Sequence, residues 1–139
     1  MPPSTEYPAV IRTDFDNQEA WDTICDLIRA PVREGDYTFY AYVKFLEELR
    51  YRDQPVAEVL RALPHDYRHS FLFIVDRESI APDFTVLVVD LLGSRGRTFR
   101  TIPTQVQGIE NNLSIANMDF ESFAQAVDEQ GVFRGYPGA

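Results

Sequence analysis

The sequence contains one cysteine, Cys25, and two histidines among its 139 residues. A single cysteine forms no intramolecular disulfide, and it cannot supply the several thiolates of a structural zinc site. His65 and His69 have the H-x-x-x-H spacing of a zinc-binding pair, but that pair requires a helix, and Pro64 precedes it. No phosphate-binding glycine motif occurs. We therefore expect neither a metal nor a cofactor.

Basic residues are also scarce: 13 Lys and Arg against 22 Asp and Glu give a formal net charge of -9. Such a chain repels the phosphate backbone, so no nucleic acid is expected, whereas a basic protein or a cationic ligand would be attracted. The longest apolar runs, 71–75 and 86–89, are far shorter than the roughly 20 residues of a membrane span. The N-terminus has no apolar signal region. We expect a cytoplasmic protein without membrane association.

The chain is 45% hydrophobic and 13% aromatic, which favours one folded domain over residues 1–139. Residues 1–6 are polar and proline-rich and are predicted to form a loose tail. Residues 132–139 are predicted to form a C-terminal tail that packs back on the domain.

Hydrophobic periodicity predicts an alternation of strands and helices. The predicted strands are 9–11, 37–45, 70–75, 84–89 and 98–102. The predicted helices are 17–30 capped by Asp16, a second one between Pro55 and Pro64, a short one near 104–110, and one capped by Asp119. Helical crossovers make the first three strands parallel, and the short link after the third makes the fourth antiparallel. The predicted fold is an α/β single mixed sheet of about five strands with three to four helices packed on it.

This topology predicts which polar residues share an edge of the sheet. The carboxyl ends of the parallel strands are expected to collect Arg12, Asp14, Asp76, Glu110, Asn111 and Asn112. The opposite edge is expected to hold His69, Asp90, Arg95 and Arg97. On this topology His69 and Glu110 lie at opposite edges.

The Glu110-Asn111-Asn112 segment has two interpretations. A carboxylate beside two amides is suited to abstracting a proton and holding an oxyanion. Alternatively, paired asparagines satisfy backbone groups in a turn. His69 has the same ambiguity, since imidazole titrates near neutral pH, while a histidine at a strand end often only bonds backbone.

Several segments resemble a known family. They are Ile11–Phe15, His69–Phe73, Gly96–Arg100, Gly131–Gly135 and the string Glu-Asn-Asn-Leu-Ser-Ile-Ala-Asn-Met-Asp-Phe at 110–120. Together they resemble a family of small, mostly bacterial proteins classed as a domain of unknown function. The resemblance implies no activity. It draws attention to Arg12, Asp14, His69, Arg97, Glu110, Asn111, Asn112 and Asn117.

Two functions remain open. The first is a small-molecule-binding protein or a cofactor-independent enzyme using acid–base chemistry, of isomerase, cyclase or lyase type. Glu110, His69 and Asp14 are its candidate catalytic residues, and Arg12, Asn111, Asn112, Arg97 and Asn117 would hold the substrate. The alternative is a non-enzymatic acidic interaction module of inhibitor or immunity type, with a basic protein partner. A homodimer through the Tyr40/Tyr42 face is compatible with either.

Overall fold

A computed structural model describes residues 6–81 and 83–136. The predicted tails therefore lie partly outside the described residues, at 1–5 and 137–139. Eight strands occur in the described part of the chain: β1 (Ala9–Arg12), β2 (Val32–Glu34), β3 (Tyr37–Phe39), β4 (Lys44–Leu46), β5 (Phe71–Val75), β6 (Val86–Asp90), β7 (Thr98–Thr101) and β8 (Val132–Phe133). The α-helices are α1 (Gln18–Arg29), α2 (Val56–Arg61), α3 (Val106–Ser114) and α4 (Phe120–Ala124). None of these described helices has the length and hydropathy of a membrane span.

Six of the described strands form one mixed sheet in the order β4-β1-β5-β6-β7-β8. β1 runs parallel to both β4 and β5, while β6 is antiparallel to β5 and β7. The predicted mixed sheet with helices is thus confirmed, including the direction of its first four strands. The sixth strand, β8, was not predicted: it pairs in parallel with β7 through only two residues, too few to leave a periodic pattern.

Helix α1 was predicted at nearly its observed bounds, but the prediction of its capping residue was wrong. The side chain of Asn17, not Asp16, accepts a hydrogen bond from Ala20 N. Cys25 is buried on the apolar face of this helix, and burial raises the pKa of its thiol to about 12. Cys25 therefore stays a neutral, buried thiol at physiological pH.

The predicted aromatic strand 37–45 is divided in two. β3 leaves the main sheet and pairs with β2 in a separate antiparallel hairpin, and β4 joins the main sheet beside β1. Between them, Ala41 and Val43 still pack against the core. The alternation therefore marked the core-facing side only from Ala41 to Phe45, whereas Tyr37 and Phe39 on the same predicted face are exposed. The alternation did not fix the backbone partner, because pairing depends on distant segments.

Hydrophobic clusters cover both faces of the sheet. On one face, α1, α3 and α4 pack on side chains such as Phe73 and Val88. On the other, α2 and Tyr51 pack on Ile11, Leu72 and Ile74. Burial on both faces explains why β5 is a continuous apolar run rather than an alternating one.

Helix α3 continues to Ser114, four residues past its predicted end. Asn112 Nδ2 donates to Gly108 O at 2.8 Å, and Ser114 Oγ donates to Glu110 Oε2 at 2.8 Å. Asparagine and serine are poor helix formers because their side chains compete for backbone hydrogen bonds. Here the side chains of Asn112 and Ser114 bond to residues one turn earlier in α3, which offsets their low helix propensity.

Candidate functional site

A cleft of about 620 Å³ lies between the β6–β7 loop and the segment joining α3 to α4. We call it the loop cleft. Its polar lining is Ser70, Asp90, Ser94, Arg97, Asn117, Asp119, Glu121 and Ser122. Its apolar lining is Phe71, Leu92, Leu113, Ala116, Met118 and Phe120. The cleft lies at the edge where β5 begins and β6 ends.

One wall of the loop cleft is shaped by Asp90, which is only 5% exposed. Its Oδ1 accepts hydrogen bonds from Leu92 N at 3.0 Å and Gly93 N at 3.3 Å, and its Oδ2 accepts one from Ser94 N at 2.8 Å. A β-carbon on Gly93 would lie 3.2 Å from Asp90 Oδ2. Asp90 therefore fixes the conformation of the loop.

The opposite wall is shaped by Asn112. Its carbonyl oxygen accepts from Asn117 N at 3.0 Å and Met118 N at 3.2 Å, and its Oδ1 accepts from Asn117 Nδ2 at 2.8 Å. Ala116, within the same turn, has a φ of +56°, which strains a residue with a β-carbon. Asn112 thus holds the turn that presents Asn117 and Met118 to the cleft.

An ion pair joins the two walls. Arg97, at the end of the β6–β7 loop, bonds Glu121 on α4. The Arg97 guanidinium also lies 5.8 Å from the centre of the Phe120 ring, and Gln125 Nε2 donates to Glu121 Oε1 at 2.7 Å. Both charges are already paired within the protein.

Asp119 is exposed, and one of its two carboxylate oxygens accepts hydrogen bonds from another described residue. Its Oδ1 caps α4 by accepting from Ser122 N at 2.9 Å and Ser122 Oγ at 2.7 Å. These bonds hold the pKa of Asp119 below its usual range. Its Oδ2 accepts no hydrogen bond from another described residue, so this exposed oxygen is open to solvent or to a ligand.

Glu110 lies outside the loop cleft and is 4% exposed. Its Oε1 accepts from Tyr42 N at 2.8 Å, and its Oε2 accepts from Ser114 Oγ. It therefore ties the chain before β4 to helix α3. Asn111 is exposed, and His69 makes an edge contact with Tyr67, their ring centres 5.3 Å apart.

The expected gathering of Glu110, Asn111 and Asn112 at the carboxyl ends of the strands is wrong. The chain does leave β7 at that edge, but α3 then runs back along the sheet for nine residues, about 13 Å at the usual helical rise. Its last turn therefore lies at the opposite edge, as the bond from Glu110 to Tyr42, two residues before β4, shows. Glu110 and His69 lie towards the same edge, not at opposite ones.

At the carboxyl-end edge, Arg12 is 2% exposed. Its Nη1 donates to Gln18 Oε1 at 2.9 Å and Glu47 Oε2 at 3.1 Å, and its Nε donates to Asp14 O at 2.9 Å. The guanidinium lies between the rings of Phe15 and Trp21, 4.6 and 5.3 Å from their centres. Arg12 therefore links the end of β1 to the start of α1 and to the residue after β4.

Asp14 and Asp76 border a hollow of about 280 Å³ at the same edge. Asp14 Oδ1 accepts from Asp16 N at 3.1 Å, and Asp76 bonds both Arg100 and Ser79 Oγ. Among the described residues, no group of three or more His, Cys, Asp or Glu side chains is arranged to hold a metal ion.

The structure thus brings Arg97 and Asn117 together in the loop cleft, with His69 next in sequence to the lining residue Ser70. It places Arg12 and Asp14 at the other edge. Sequence reasoning missed Asp119, which it read only as a helix cap, and it did not single out Glu121. It also missed the apolar floor, although Leu113, Met118 and Phe120 belong to the string at 110–120.

Comparison with known proteins identifies the family but no function. No curated protein and no solved structure matches the chain. A family model matches residues 7–136, nearly the whole sequence. The chain belongs to the family described as Domain of unknown function (DUF6924).

Proposed function

We propose that the protein binds a small organic molecule in the loop cleft. The observation that carries this proposal is the cleft itself: about 620 Å³ of concave space, within the range of about 300–1,000 Å³ of small-molecule sites. Three segments distant in sequence build it, and its lining combines an apolar floor with polar groups, as ligand sites generally do.

The geometry supports binding more than catalysis. A general base needs a carboxylate or imidazole within reach of the substrate. Glu110 is outside the cleft, and Asp90 accepts three backbone hydrogen bonds. Asp119 lines the cleft, but the Ser122 hydrogen bonds hold its pKa below the usual range, which makes it a weak base. Isomerase, cyclase or lyase chemistry with His69 as the base stays a prediction.

A cytoplasmic location is part of this proposal, supported by the single buried cysteine.

Protein-observed NMR with a fragment library tests the proposal, comparing two tryptophan variants. Ser94→Trp places a large side chain at an exposed lining position, whereas Arg95→Trp alters the next residue, which does not line the cleft. We expect fragments to shift amide signals of Asn117, Asp119 and Glu121 in the wild type and Arg95→Trp, but not in Ser94→Trp. Fragments that bind Ser94→Trp equally well would contradict the proposal.

A second candidate function is protein interaction. Five aromatic side chains around the β2–β3 hairpin are exposed: Tyr7, Tyr37, Phe39, Tyr40 and Tyr42. Exposed aromatic groups are common interface anchors. Light scattering tests the homodimer: a dimer that becomes monomeric in the Tyr40→Ser/Tyr42→Ser variant supports it, and a wild-type monomer counts against it.

The inhibitor or immunity alternative requires a basic protein partner. Glu19, Asp22 and Asp26 lie on the exposed face of α1 and suit such a partner. Capture of a basic protein at low salt that is lost when these three acids become amides would support this alternative.

A further inference from the structure

The loop cleft has a charge imbalance that bears on its ligand. Three of its charged lining residues are acidic, namely Asp90, Asp119 and Glu121, and Arg97 is basic. The protein as a whole also carries a formal net charge of -9. The local and the overall field therefore both favour a cation over an anion in the cleft.

Two of the hydrogen-bonding groups left over in the cleft are acceptors. Asp119 Oδ2 accepts no hydrogen bond from another described residue, and Asn117 uses its Nδ2 on Asn112, which leaves its Oδ1 for other partners. The Arg97 guanidinium, the strongest donor, is paired with Glu121. A ligand that supplies several N–H donors complements these two acceptors.

The floor of the cleft sets a second requirement. Phe71, Leu113, Met118 and Phe120 are apolar lining residues, and Phe71 and Phe120 are buried. Leu113 and Met118 are partly exposed, and an apolar ring or chain on the ligand would remove their surface from water. The lining is thus complementary to a ligand that has hydrogen-bond donors at one end and an apolar ring or chain at the other.

We infer that the ligand of the loop cleft is a protonated amine on an apolar ring or chain, with its ammonium group bound by Asp119. This inference rests on the proposed function and names the chemical class of its ligand. Asp119 Oδ2 and Asn117 Oδ1 accept hydrogen bonds from the ammonium group, and Met118 and Phe120 contact the apolar body.

Three probes with the same aromatic body and different heads test this inference: 2-phenylethylamine, 2-phenylethanol and phenylacetate. We expect the amine to bind the wild-type protein about tenfold more tightly than the alcohol, because a charge-assisted hydrogen bond replaces a neutral one. Phenylacetate should bind more weakly than both. NMR titration measures all three dissociation constants and locates the probes.

Asp119→Asn tests the assigned residue, because asparagine caps a helix as well as aspartate does. In this variant, amine binding should weaken about tenfold, to the level of the alcohol, and alcohol binding should not change. Asp26→Asn on α1 removes an equal charge outside the lining and should leave all three affinities unchanged.

The outcomes separate this inference from the proposed function. If phenylacetate binds in the cleft as tightly as the amine, or if Asp119→Asn leaves amine binding unchanged, the inference is overturned and the cleft remains a binding site. If none of the three probes reaches the cleft, the inference is also overturned. The fragment screen with Ser94→Trp then decides separately whether the cleft binds other molecules.

Discussion

The two edges of the sheet use their charged residues differently. At the carboxyl-end edge, the Arg12 side chain bonds Gln18, Glu47 and a backbone carbonyl, and Asp76 is paired with Arg100. At the other edge, the loop cleft contains a carboxylate oxygen of Asp119 that accepts no hydrogen bond from another described residue. Arg12 and Asp14 at the first edge are buried and support the fold, whereas Asp119 at the second edge is exposed to the larger cleft.

This difference teaches that proximity to a strand end does not identify a site. Both edges collect acids, arginines and amides, and the carboxyl-end edge is where parallel sheets usually bind ligands. Here the larger concave space is at the opposite edge, about 620 against 280 Å³. Substitutions at the two edges should consequently affect different properties, stability at one and ligand binding at the other.

Arg12→Ala should have the largest effect on stability. It removes three hydrogen bonds and the packing of the side chain between Phe15 and Trp21. We expect the free energy of unfolding to fall by about 3 kcal/mol in urea denaturation, with ligand binding in the cleft unchanged.

Arg12→Met is the matched control for that substitution. It keeps most of the apolar packing and loses only the polar contacts. It also removes Nη2, a buried nitrogen without a partner among the described residues, which lowers the cost of the substitution. The loss should be about half as large. A loss below about 1 kcal/mol for Arg12→Ala would show that this edge does not support the fold.

Asp90→Ala should affect both properties. It leaves the amides of Leu92, Gly93 and Ser94 without their acceptor, so we expect a loss of about 2 kcal/mol of unfolding free energy. Because the same loop forms a wall of the cleft, binding of a fragment or amine should weaken too. Asp90→Asn, which keeps one acceptor oxygen, should lie between the wild type and Asp90→Ala. Unchanged binding in Asp90→Ala would show that the β6–β7 loop does not contribute to the binding site.

Glu110→Gln should have a smaller effect, confined to the link between α3 and the chain before β4. The amide oxygen still accepts one hydrogen bond, so we expect a loss of about 1 kcal/mol. Hydrogen exchange of the Tyr42 amide should then accelerate about fivefold. Exchange at the wild-type rate would show that the Glu110–Tyr42 bond contributes nothing to the order of this segment.

Ser122→Ala should produce the smallest effect, a change in the titration of Asp119. The Ser122 hydrogen bonds lower the pKa of Asp119, so its contribution to stability is present at neutral pH and is lost as the pH falls through that pKa. Ser122→Ala removes the hydroxyl bond and should raise the pKa towards the ordinary value of an aspartate. Carboxyl-carbon NMR measures it, and an identical midpoint in the variant would contradict this cause.

Much of the fold follows from local patterns in the sequence. The strands β5 and β6 are continuous apolar runs because both faces of the sheet are covered, and α1 shows a regular apolar stripe on Trp21, Ile24 and Ile28. These patterns arise from burial, which is strong and periodic, so their elements were predicted correctly. The β2–β3 hairpin and β8 depend on pairing between short segments, which leaves no such pattern.

The candidate site was predictable only in part. Arg97 and Asn117 were selected by the resemblance, and both line the loop cleft. The role of Asp119 could not be read from its position as a helix cap, because only the folded turn held by Asn112 brings it beside Phe71 and Ser94. The direction of α3 likewise depends on its packing against α1 and the sheet, not on its own residues.

The central claim is that the loop cleft, and not the carboxyl-end edge, is the ligand site. Chemical-shift mapping of the ¹⁵N-labelled protein during titration with 2-phenylethylamine tests it most directly. The account predicts saturable shifts at Arg97, Asn117, Asp119 and Glu121, with Asp14 and Asp76 unchanged. Saturable shifts at Asp14 and Asp76, with the cleft residues unaffected, would contradict it.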